Sequence, residues 1–500
     1  MLGLSSPLGF FKMIVIYMKL ILSIIKLSVP FSAFLVLVPE ITSAQQFTLS
    51  ECIEKAGQNN TLVKIAKQSL ETREKLLESN KNNYLPKVDL LGGYNYIGKP
   101  IEVNLQQVKE GIVEGTANQN LNTANTIFQQ ITGNQLPQSI QDIVYQTSKD
   151  LVNAIYPNYN PKISKQSYFL AGLMLRQPIY AGGKIKASQE LSAQQVESGN
   201  ANLASARNLS VYNIALQYIQ ILYLNAMIEK QQDIVAALQR NEKFAQSLLS
   251  ADVIPPYQKN WADIARVHGE TNLKSLNLEK NNALLTLKDL MGIGLDEPLE
   301  ITQKISEEMH VPAFLDPTNN TDLKLLESKK SEAKIGLKVS KSFSRPNVFA
   351  IANYQFFRKD LPLITPPWLV GVEFQWTLFD PERKSRNHAA ESLVKETDLL
   401  IEQKQQAVNL AARVTQNKLI SLKEQCETFN ASRKQSYTTS EMVEKRMQNS
   451  LSSVKDVNDA LQLQYETEKL YHTSLVTYNT VLATYFYIIG DAQGITSFVH

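Results

Sequence analysis

Side chains that could carry out chemistry are scattered along this 500-residue chain. Cys52 and Cys426 lie too far apart in the sequence to suggest a disulfide framework, so we expect two unlinked thiols on helices. The sequence has no glycine-rich phosphate loop, no cluster of metal-ligating cysteines and histidines, and no nucleophile motif. These observations predict neither an enzyme nor a bound cofactor or metal. Single histidines stand at His268, His310, His388, His472 and His500.

Charge and hydropathy exclude two further classes of protein. The chain has 51 basic and 48 acidic residues, whereas a nucleic-acid-binding protein concentrates Lys and Arg. The mean hydropathy of -0.21 is too polar for a bundle of membrane helices. Beyond the N-terminus, no apolar run reaches the roughly 18 residues of a membrane helix. A membrane location would therefore require strands, because a closed barrel is the other structure that satisfies the backbone in lipid.

Residues 1–44 are typical of an export signal. Lysines interrupt an apolar region, and the small residues TSA come directly before Gln45, as at a cleavage site. A start at Met18 would give a signal of more ordinary length. An uncleaved membrane anchor is the alternative. The small-residue site favours cleavage, and we expect an exported protein.

The segment from Trp368 to Leu378 alternates with a period of two. One face is almost purely apolar, which is typical of a half-buried strand. Its two tryptophans are separated by about 26 Å at ~3.3 Å per residue, which fits two aromatic girdles around an apolar band. A strand in an ordinary soluble core is the alternative. We expect the following side chains to face lipid: Trp368, Val370, Val372, Phe374 and Trp376.

The same plan occurs twice in the chain. GLMLRQPIY (residues 172–180) aligns with GVEFQWTLF (residues 371–379), at an offset of 199 (371 − 172). Each segment leads through a turn into a polar, helix-favouring stretch. These stretches end at Gly292 and Gly490, at an offset of 198 (490 − 292). Each half therefore predicts a helix, two strands, and two long helices joined by a turn.

The two repeats differ in one connection. The first, residues 45–320, has a long external loop between its strands and ends in an equatorial connection. The second, residues 321–500, has a short loop. The long segment, residues 101–165, is rich in Asn, Gln and Thr. We expect it to lie outside the cell and to narrow the outer mouth, with a short helix near residues 138–151. A flexible loop without a role is the alternative.

The long stretches have the composition of coiled-coil helices. Residues 184–250 contain no proline, and at ~1.5 Å per residue they would form a helix of roughly 100 Å. The second half has a seam of alternating four-three spacing with two polar breaks, which is typical of a coiled coil. The seam consists of Val457, Leu461, Gln464, Glu468, Tyr471, Leu475, Tyr478, Leu482, Tyr485 and Ile489.

Four strands per chain cannot close a barrel. Their unpaired edges would be exposed in lipid, which is not tolerated. Three copies would supply twelve strands, although the arithmetic alone does not exclude two or four copies. We therefore predict a mainly α fold with a β-barrel part. The long helices form antiparallel coiled coils, and four strands per protomer complete a 12-stranded barrel in a trimer.

Three segments resemble outer-membrane efflux proteins of the TolC family: FTLSECIEKA (residues 47–56), NYLPKV (83–88) and QPIYAGGK (177–184). The resemblance implies a homotrimer in the outer membrane of a Gram-negative bacterium, whose long antiparallel coiled-coil helices form a tunnel in the periplasm. It also implies two partners, a periplasmic adaptor protein and an inner-membrane pump of the resistance-nodulation-division or ABC type. The expected function is a passive exit duct without a cofactor. The alternatives are a porin-like channel working alone and a structural coiled-coil protein of the envelope.

The resemblance also assigns roles at the turns between the long helices. It places adaptor contacts at these turns and a periplasmic gate at Asp456 and Asp459, whose pKa values should rise if clustered copies repel. Ser452 stands where the family's best-known gate has an arginine, so the closing network is left open. Acids on a solvated helix start are the alternative. The adaptor-contact residues are Val253, Ile254, Pro255, Ser450, Leu451 and Ser452.

Overall fold

The computed structural model describes residues 45–100, 102–158, 161–162, 164–361, 366–449 and 451–499. The predicted export signal and the turn residue Ser450 lie outside the described residues. The chain separates into two units. In the small unit, strand β1 (Gln45–Gln46) pairs in parallel with strand β4 (Leu299–Glu300). The large unit holds the other described elements.

The large unit is mainly helical. Among its described helices, none is both long enough and apolar enough to cross a membrane. The helices are α1 (Leu49–Asn59), α2 (Thr61–Lys81), α3 (Gln106–Thr132), α4 (Gln138–Ile155), α5 (Lys184–Ser250), α6 (Pro256–Met291), α7 (Thr321–Ser342), α8 (Arg383–Gln448) and α9 (Val454–Ile489).

The large unit contains two long helical hairpins of nearly equal size. Helices α5 and α6 have 67 and 36 residues, and α8 and α9 have 66 and 36. Each hairpin packs against the other, with α9 lying against both α8 and α5. Every member of the predicted seam on α9 is buried, including the polar Gln464 and Glu468. The coiled-coil prediction is therefore confirmed.

One antiparallel sheet forms the β part of the large unit. It contains β2 (Lys87–Tyr96), β3 (Ser167–Ala181), β5 (Asn347–Lys359) and β6 (Trp368–Gln375), in the order β2-β3-β5-β6. β2 and β6 are the outer strands, and within the described chain each has a partner on one side only. The predicted fold class is confirmed for one chain, and closure of a barrel by three copies stays a prediction.

The sheet has two chemically different faces. Val370, Val372 and Phe374 lie opposite Ala352, Ala350 and Val348 on one face, and Val372 is 67% exposed. This side of the sheet is therefore an exposed apolar surface, as the alternation predicted. Trp376 follows the end of β6, and its indole N–H donates a hydrogen bond to the Ser344 carbonyl over 3.0 Å.

The opposite face of the sheet is polar. Arg176 on β3 reaches Glu373 on β6 across β5, with 3.4 Å between the guanidinium nitrogen and the carboxylate oxygen. The same guanidinium lies 4.1 Å from the ring centre of Phe349. A pocket of about 480 Å³ is lined by Arg176, Lys87 and Asp89 on this side. The Arg176–Glu373 pair thus lies on the face opposite to the exposed apolar side chains Val370 and Val372.

The insertion between β2 and β3 is a helical hairpin rather than a long loop. Helix α4 covers the short helix predicted near residues 138–151 and extends it to Ile155. The 27-residue helix α3 was not predicted. Its Asn-, Gln- and Thr-rich sequence lacks strong apolar periodicity, and its contacts with α4 hold it in place. Whether this hairpin lies outside the cell stays a prediction.

The two cysteines are free and buried on α1 and α8, as expected. Burial, together with the nearby Glu51 carboxylate, raises the pKa of the Cys52 thiol to about 12. The Cys426 thiol donates a hydrogen bond to the Ser474 hydroxyl over 3.2 Å. Both thiols are therefore packing groups.

Candidate functional site

The turn between α5 and α6 contains a residue in the left-handed backbone conformation, just after the end of α5. Asp252 has a φ of 55°, a conformation that Asp tolerates better than most residues with a side chain. The backbone N–H of Asp252 donates to the Leu249 carbonyl over 3.0 Å, and that of Val253 donates to Leu248 over 2.9 Å. This pair of bonds defines a Schellman motif. It fixes the direction in which Val253 and Ile254 leave the helix.

The turn between α8 and α9 has the equivalent of the second of these two hydrogen bonds. The Leu451 backbone N–H donates to the Arg446 carbonyl over 2.9 Å. This bond is the equivalent of the bond from Val253 to Leu248, at the same offset of 198 that the sequence predicted (451 − 253). The described part of the second turn therefore shares one of the two hydrogen bonds of the first turn.

Some of the predicted adaptor-contact residues are exposed at the turns, and one packs inward. Val253 and Leu451 are 61% and 66% exposed at equivalent positions. Pro255 is exposed at the start of α6, and Ser452 is half-buried. Ile254 instead packs inward against the core. An apolar side chain thus stands exposed at the end of each hairpin.

A small core lies directly behind the turns. It joins the ends of all four long helices through buried apolar side chains. Polar contacts cross the same region: the Asn241 amide donates to the Asn458 side-chain oxygen over 2.8 Å, and the Asn458 amide donates to the Trp261 carbonyl over 3.2 Å. Arg240 pairs with Glu444 at 2.9 Å. No local pattern in the sequence predicts these pairings, because the partners lie about two hundred residues apart.

Asp456 has a structural partner at the start of α9. Its carboxylate accepts a hydrogen bond from the Ser453 backbone N–H over 2.7 Å, and the Ser453 hydroxyl accepts one from the Asp456 N–H over 3.1 Å. These reciprocal bonds form a capping box. The hydrogen bonds from Ser453 lower the pKa of Asp456. Within one chain, the shift is thus opposite to the rise expected from repulsion among copies.

Asp459 lies one turn further along α9. Its carboxylate is 3.6 Å from the Lys455 ammonium, and both side chains are mostly exposed. Such an exposed pair is weak. Near Ser452, the Arg446 guanidinium donates to the Leu451 carbonyl over 3.4 Å, so its observed contact lies within its own turn. The structure therefore brings both predicted gate aspartates to the exposed start of one helix, where their charges are available to other groups.

The polar break at Glu468 in the α9 seam forms a second buried site. Glu468 lies 3.6 Å from the Arg433 guanidinium and 3.4 Å from the His472 imidazole. Arg433 also pairs with Glu307 at 3.1 Å and stacks 4.1 Å from the ring centre of Tyr471. Burial alone would raise the pKa of Glu468, but the nearby His472 and the charge of Arg433 outweigh it and lower this pKa. Glu468 is thus a buried, charged carboxylate.

The described residues contain no evident metal site. Within them, no group of three or more His, Cys, Asp or Glu side chains could hold a metal ion. The chemistry that these side chains can perform is electrostatic: exposed carboxylates at the start of α9, and an ion pair inside the helices.

Solved structures reveal which proteins share this architecture. The CmeC outer membrane channel of Campylobacter jejuni matches with a TM-score of 0.67 and 12% identity, over 95% of this chain and 98% of that one. The outer membrane protein VceC of Vibrio cholerae matches with a TM-score of 0.64 and 14% identity, over 89% of this chain and 96% of that one. The chain has the fold of outer-membrane channels.

A third outer-membrane channel supports the same assignment. The MtrE outer membrane channel of Neisseria gonorrhoeae, in its open state, matches with a TM-score of 0.64 and 14% identity, over 89% of both chains. No protein-family model matches the sequence, and no curated protein matches it either. In this outer-membrane channel fold, α8 separates the sheet from the second turn by 66 helical residues, or about 100 Å. The lipid-facing and adaptor-contact predictions therefore concern opposite ends of one helix.

Proposed function

We propose that this chain is the outer-membrane exit duct of a tripartite efflux or secretion system in a Gram-negative bacterium. It extends into the periplasm and passively conducts substrates delivered by a periplasmic adaptor and an inner-membrane pump of the resistance-nodulation-division or ABC type. The observation that carries the proposal is the channel fold, matched over almost the whole of the chain. A passive duct needs no catalytic group and no cofactor.

The two faces of the sheet support a place in the lipid bilayer. An apolar face containing Trp368, Val370 and Val372 stands exposed, while the Arg176–Glu373 pair lies on the other side. An exposed apolar surface of this kind marks an interaction surface. Lipid on the apolar side and water on the polar side satisfy both faces. Three copies then join β6 of one chain to β2 of the next, which closes twelve strands and removes the free edges.

The exposed turns support adaptor binding. Val253 and Leu451 project from equivalent turns at the ends of the two hairpins. A homotrimer would present six such apolar positions in one ring. We assign Val253 and Leu451 as the main adaptor contacts, with Pro255 and Ser452 at their margin; Ser450 remains a predicted contact outside the described residues. Ile254 supports the turn from within the core.

The exposed carboxylates support an electrostatic gate. Three copies of Asp456 and Asp459 would bring six carboxylates to the periplasmic mouth. Rings of acidic side chains favour cations in a pore. Asp459 is the more available of the two, because the carboxylate of Asp456 already caps α9.

Two measurements on the purified wild-type trimer test the proposed function. Single-channel recording in a planar bilayer should show discrete conductance steps, and adaptor made from a neighbouring gene should bind to the same preparation. The double variant Val253→Asp and Leu451→Asp should keep its conductance and lose adaptor binding. Conductance without adaptor binding to the wild type would identify a porin-like channel working alone. Trimers without conductance would point to a structural envelope protein.

A further inference from the structure

The insertion between β2 and β3 is a well-formed element. Helices α3 and α4 pack along a seam that buries Val113, Ala117 and Val152. Gly133, with a φ of 72°, ends α3 in the left-handed conformation. The return to α4 is fixed by the Leu136 backbone N–H, which donates to the Asn125 side-chain oxygen over 2.9 Å. One side of α4 is therefore committed to α3.

The outer side of α4 carries an apolar stripe. The stripe consists of Ile140 (44% exposed), Ile143 (62%), Leu151 (63%) and Ile155 (66%). At ~3.6 residues per turn, their spacing keeps them within about 120° on one side of the helix. An apolar stripe on an exposed helix marks an interaction surface.

The part of the hairpin around its tip is nearly free of charge, and its other charged residues lie towards the root: Lys109, Glu110, Glu114, Lys149 and Asp150. Between Gly115 and Ser148, Asp142 is the sole charged residue, in a chain that is 20% charged overall. Exposed charges normally keep identical copies of a protein apart. Because the part around the tip, with Ile140 and Ile143, lacks them, little electrostatic repulsion opposes its contact with the same part of a second copy.

The root of the hairpin lies next to the edge at which copies must meet. Strand β2 leads into the insertion and is an outer strand of the sheet. At the root, the Val103 N–H donates to the Pro161 carbonyl over 3.1 Å. Lys165 pairs with Asp360, just beyond β5, at 2.8 Å. In a closed barrel, three such hairpins rise from one rim, each beside the next copy.

We propose that the α4 stripes of three copies pack against one another and form a helical crown over the rim of the barrel. The occupant of each stripe is thus the neighbouring copy of this chain. This inference rests on the proposed trimeric channel. Packing of the stripes buries the four apolar side chains and encloses the route out of the duct.

Paired cysteine variants test the crown in membranes that contain the full chain. Leu151→Cys places a thiol in the stripe, and Asn153→Cys places one two residues later, about 160° around the same helix. Mild oxidation should link two copies of Leu151→Cys through a disulfide, seen as a covalent dimer in a denaturing gel. Asn153→Cys should stay monomeric in that gel. The native thiols are buried and contribute little background.

Three results would overturn the proposal, provided that the trimers conduct. Leu151→Cys could remain unlinked and be labelled by an impermeant maleimide as fast as Asn153→Cys, which would show an open stripe. It could remain unlinked and unlabelled, which would show a different occupant, such as lipid or another protein. Equal linking of both variants would show collisions without a defined interface. Absence of trimers or of conductance in the wild type would instead contradict the proposed function.

Discussion

Asn60 and Asn320 make the same set of hydrogen bonds, at an offset of 260 residues (320 − 60). Each side-chain oxygen accepts hydrogen bonds from the first turn of the helix that follows. Each side-chain amide donates to the carbonyl of a residue near the end of a hairpin helix, Leu290 at 2.6 Å and Ile488 at 2.8 Å. One asparagine in each repeat therefore joins the start of the repeat to the end of its hairpin.

A glycine completes each of these junctions. Gly490 has a φ of 85°, and a Cβ atom there would lie 2.1 Å from the Asn319 carbonyl oxygen. Gly490→Ala should therefore destabilise the protein by more than the ~1–2 kcal/mol of the left-handed conformation alone. The control is Gly336→Ala within α7, where a Cβ meets nothing within 4 Å. That change should stabilise by up to about 1 kcal/mol. Thermal unfolding of the two trimers measures the difference, and equal melting temperatures would contradict the junction.

Removal of the asparagine tests the same junction from its other side. Asn320→Ala leaves the first turn of α7 uncapped and the Ile488 carbonyl without this donor. We expect a loss of about 1–2 kcal/mol, typical of a lost N-cap. Asn60→Ala should have a similar effect, because its contacts are equivalent. A large difference between the two variants in denaturant unfolding would show that the repeats do not share this function.

The apolar face of β6 predicts an effect on insertion. Val372→Arg should impair insertion into the outer membrane by roughly 2–4 kcal/mol if the residue lies at the midplane. Leu369→Arg is the matched control, since it makes a similar change on the opposite face of the same strand. It should give near-normal yields. The measurement is the yield of folded trimer in membranes. A normal yield for Val372→Arg would contradict a lipid-facing strand.

The exposed aspartates predict cation selectivity. The double change Asp456→Asn and Asp459→Asn should reduce cation preference and the block by multivalent cations from the periplasmic side. Asp459→Asn alone should produce most of this change without a cost to α9, because its only close ionic partner in the described structure is Lys455. Reversal potentials across a bilayer under a salt gradient measure the effect. Unchanged reversal potentials would show that Asp456 and Asp459 are solvated acidic residues at a helix start without a role in selectivity.

The capping box predicts a pH dependence at the second turn. The pKa of Asp456 is lowered in the folded chain by its bonds to Ser453. Its contribution is therefore complete above the unfolded pKa of about 3.9 and is lost as the pH falls through the lower folded value. Hydrogen exchange in the first turn of α9 should accelerate over that acidic range. Asp456→Asn should abolish the pH step, whereas Asp459→Asn should keep it.

The buried ion pair predicts unequal effects of its two members. Arg433→Leu leaves the buried Glu468 carboxylate with His472 as its close partner and should cost about 3–5 kcal/mol. Glu468→Leu should cost much less, because Arg433 keeps both Glu307 and the ring of Tyr471. Denaturant unfolding of the two variants gives the comparison. Equal losses would show that Arg433 acts mainly by packing.

Local patterns predicted the elements that repeat. The seam from Val457 to Ile489 is buried as its spacing indicated, because a heptad pattern depends only on helix geometry. The alternation around Val372 predicted the faces of β6 for the same reason, since successive side chains of a strand point to opposite sides. Both features follow from short stretches of sequence and needed no knowledge of distant residues.

The missed features depend on contacts that the sequence does not display. Helix α3 is polar on most sides and needs α4 to hold it. Ile254 packs inward because the left-handed Asp252 redirects the chain just before it. The partners Asn241 and Asn458 lie 217 residues apart. No local period predicts such pairs, because tertiary packing determines them.

The free edges of β2 and β6 have a consequence for biogenesis. In the proposed channel, a lone chain would leave those backbone groups unpaired in lipid, so its sheet would mature only together with other copies. Yield should then rise steeply with the concentration of newly exported chains. A chain that is blocked at one edge would still recruit normal partners through the other edge. Such a chain would be dominant negative when it is expressed beside the wild type. An intact gene in the same cell would then not restore full channel function.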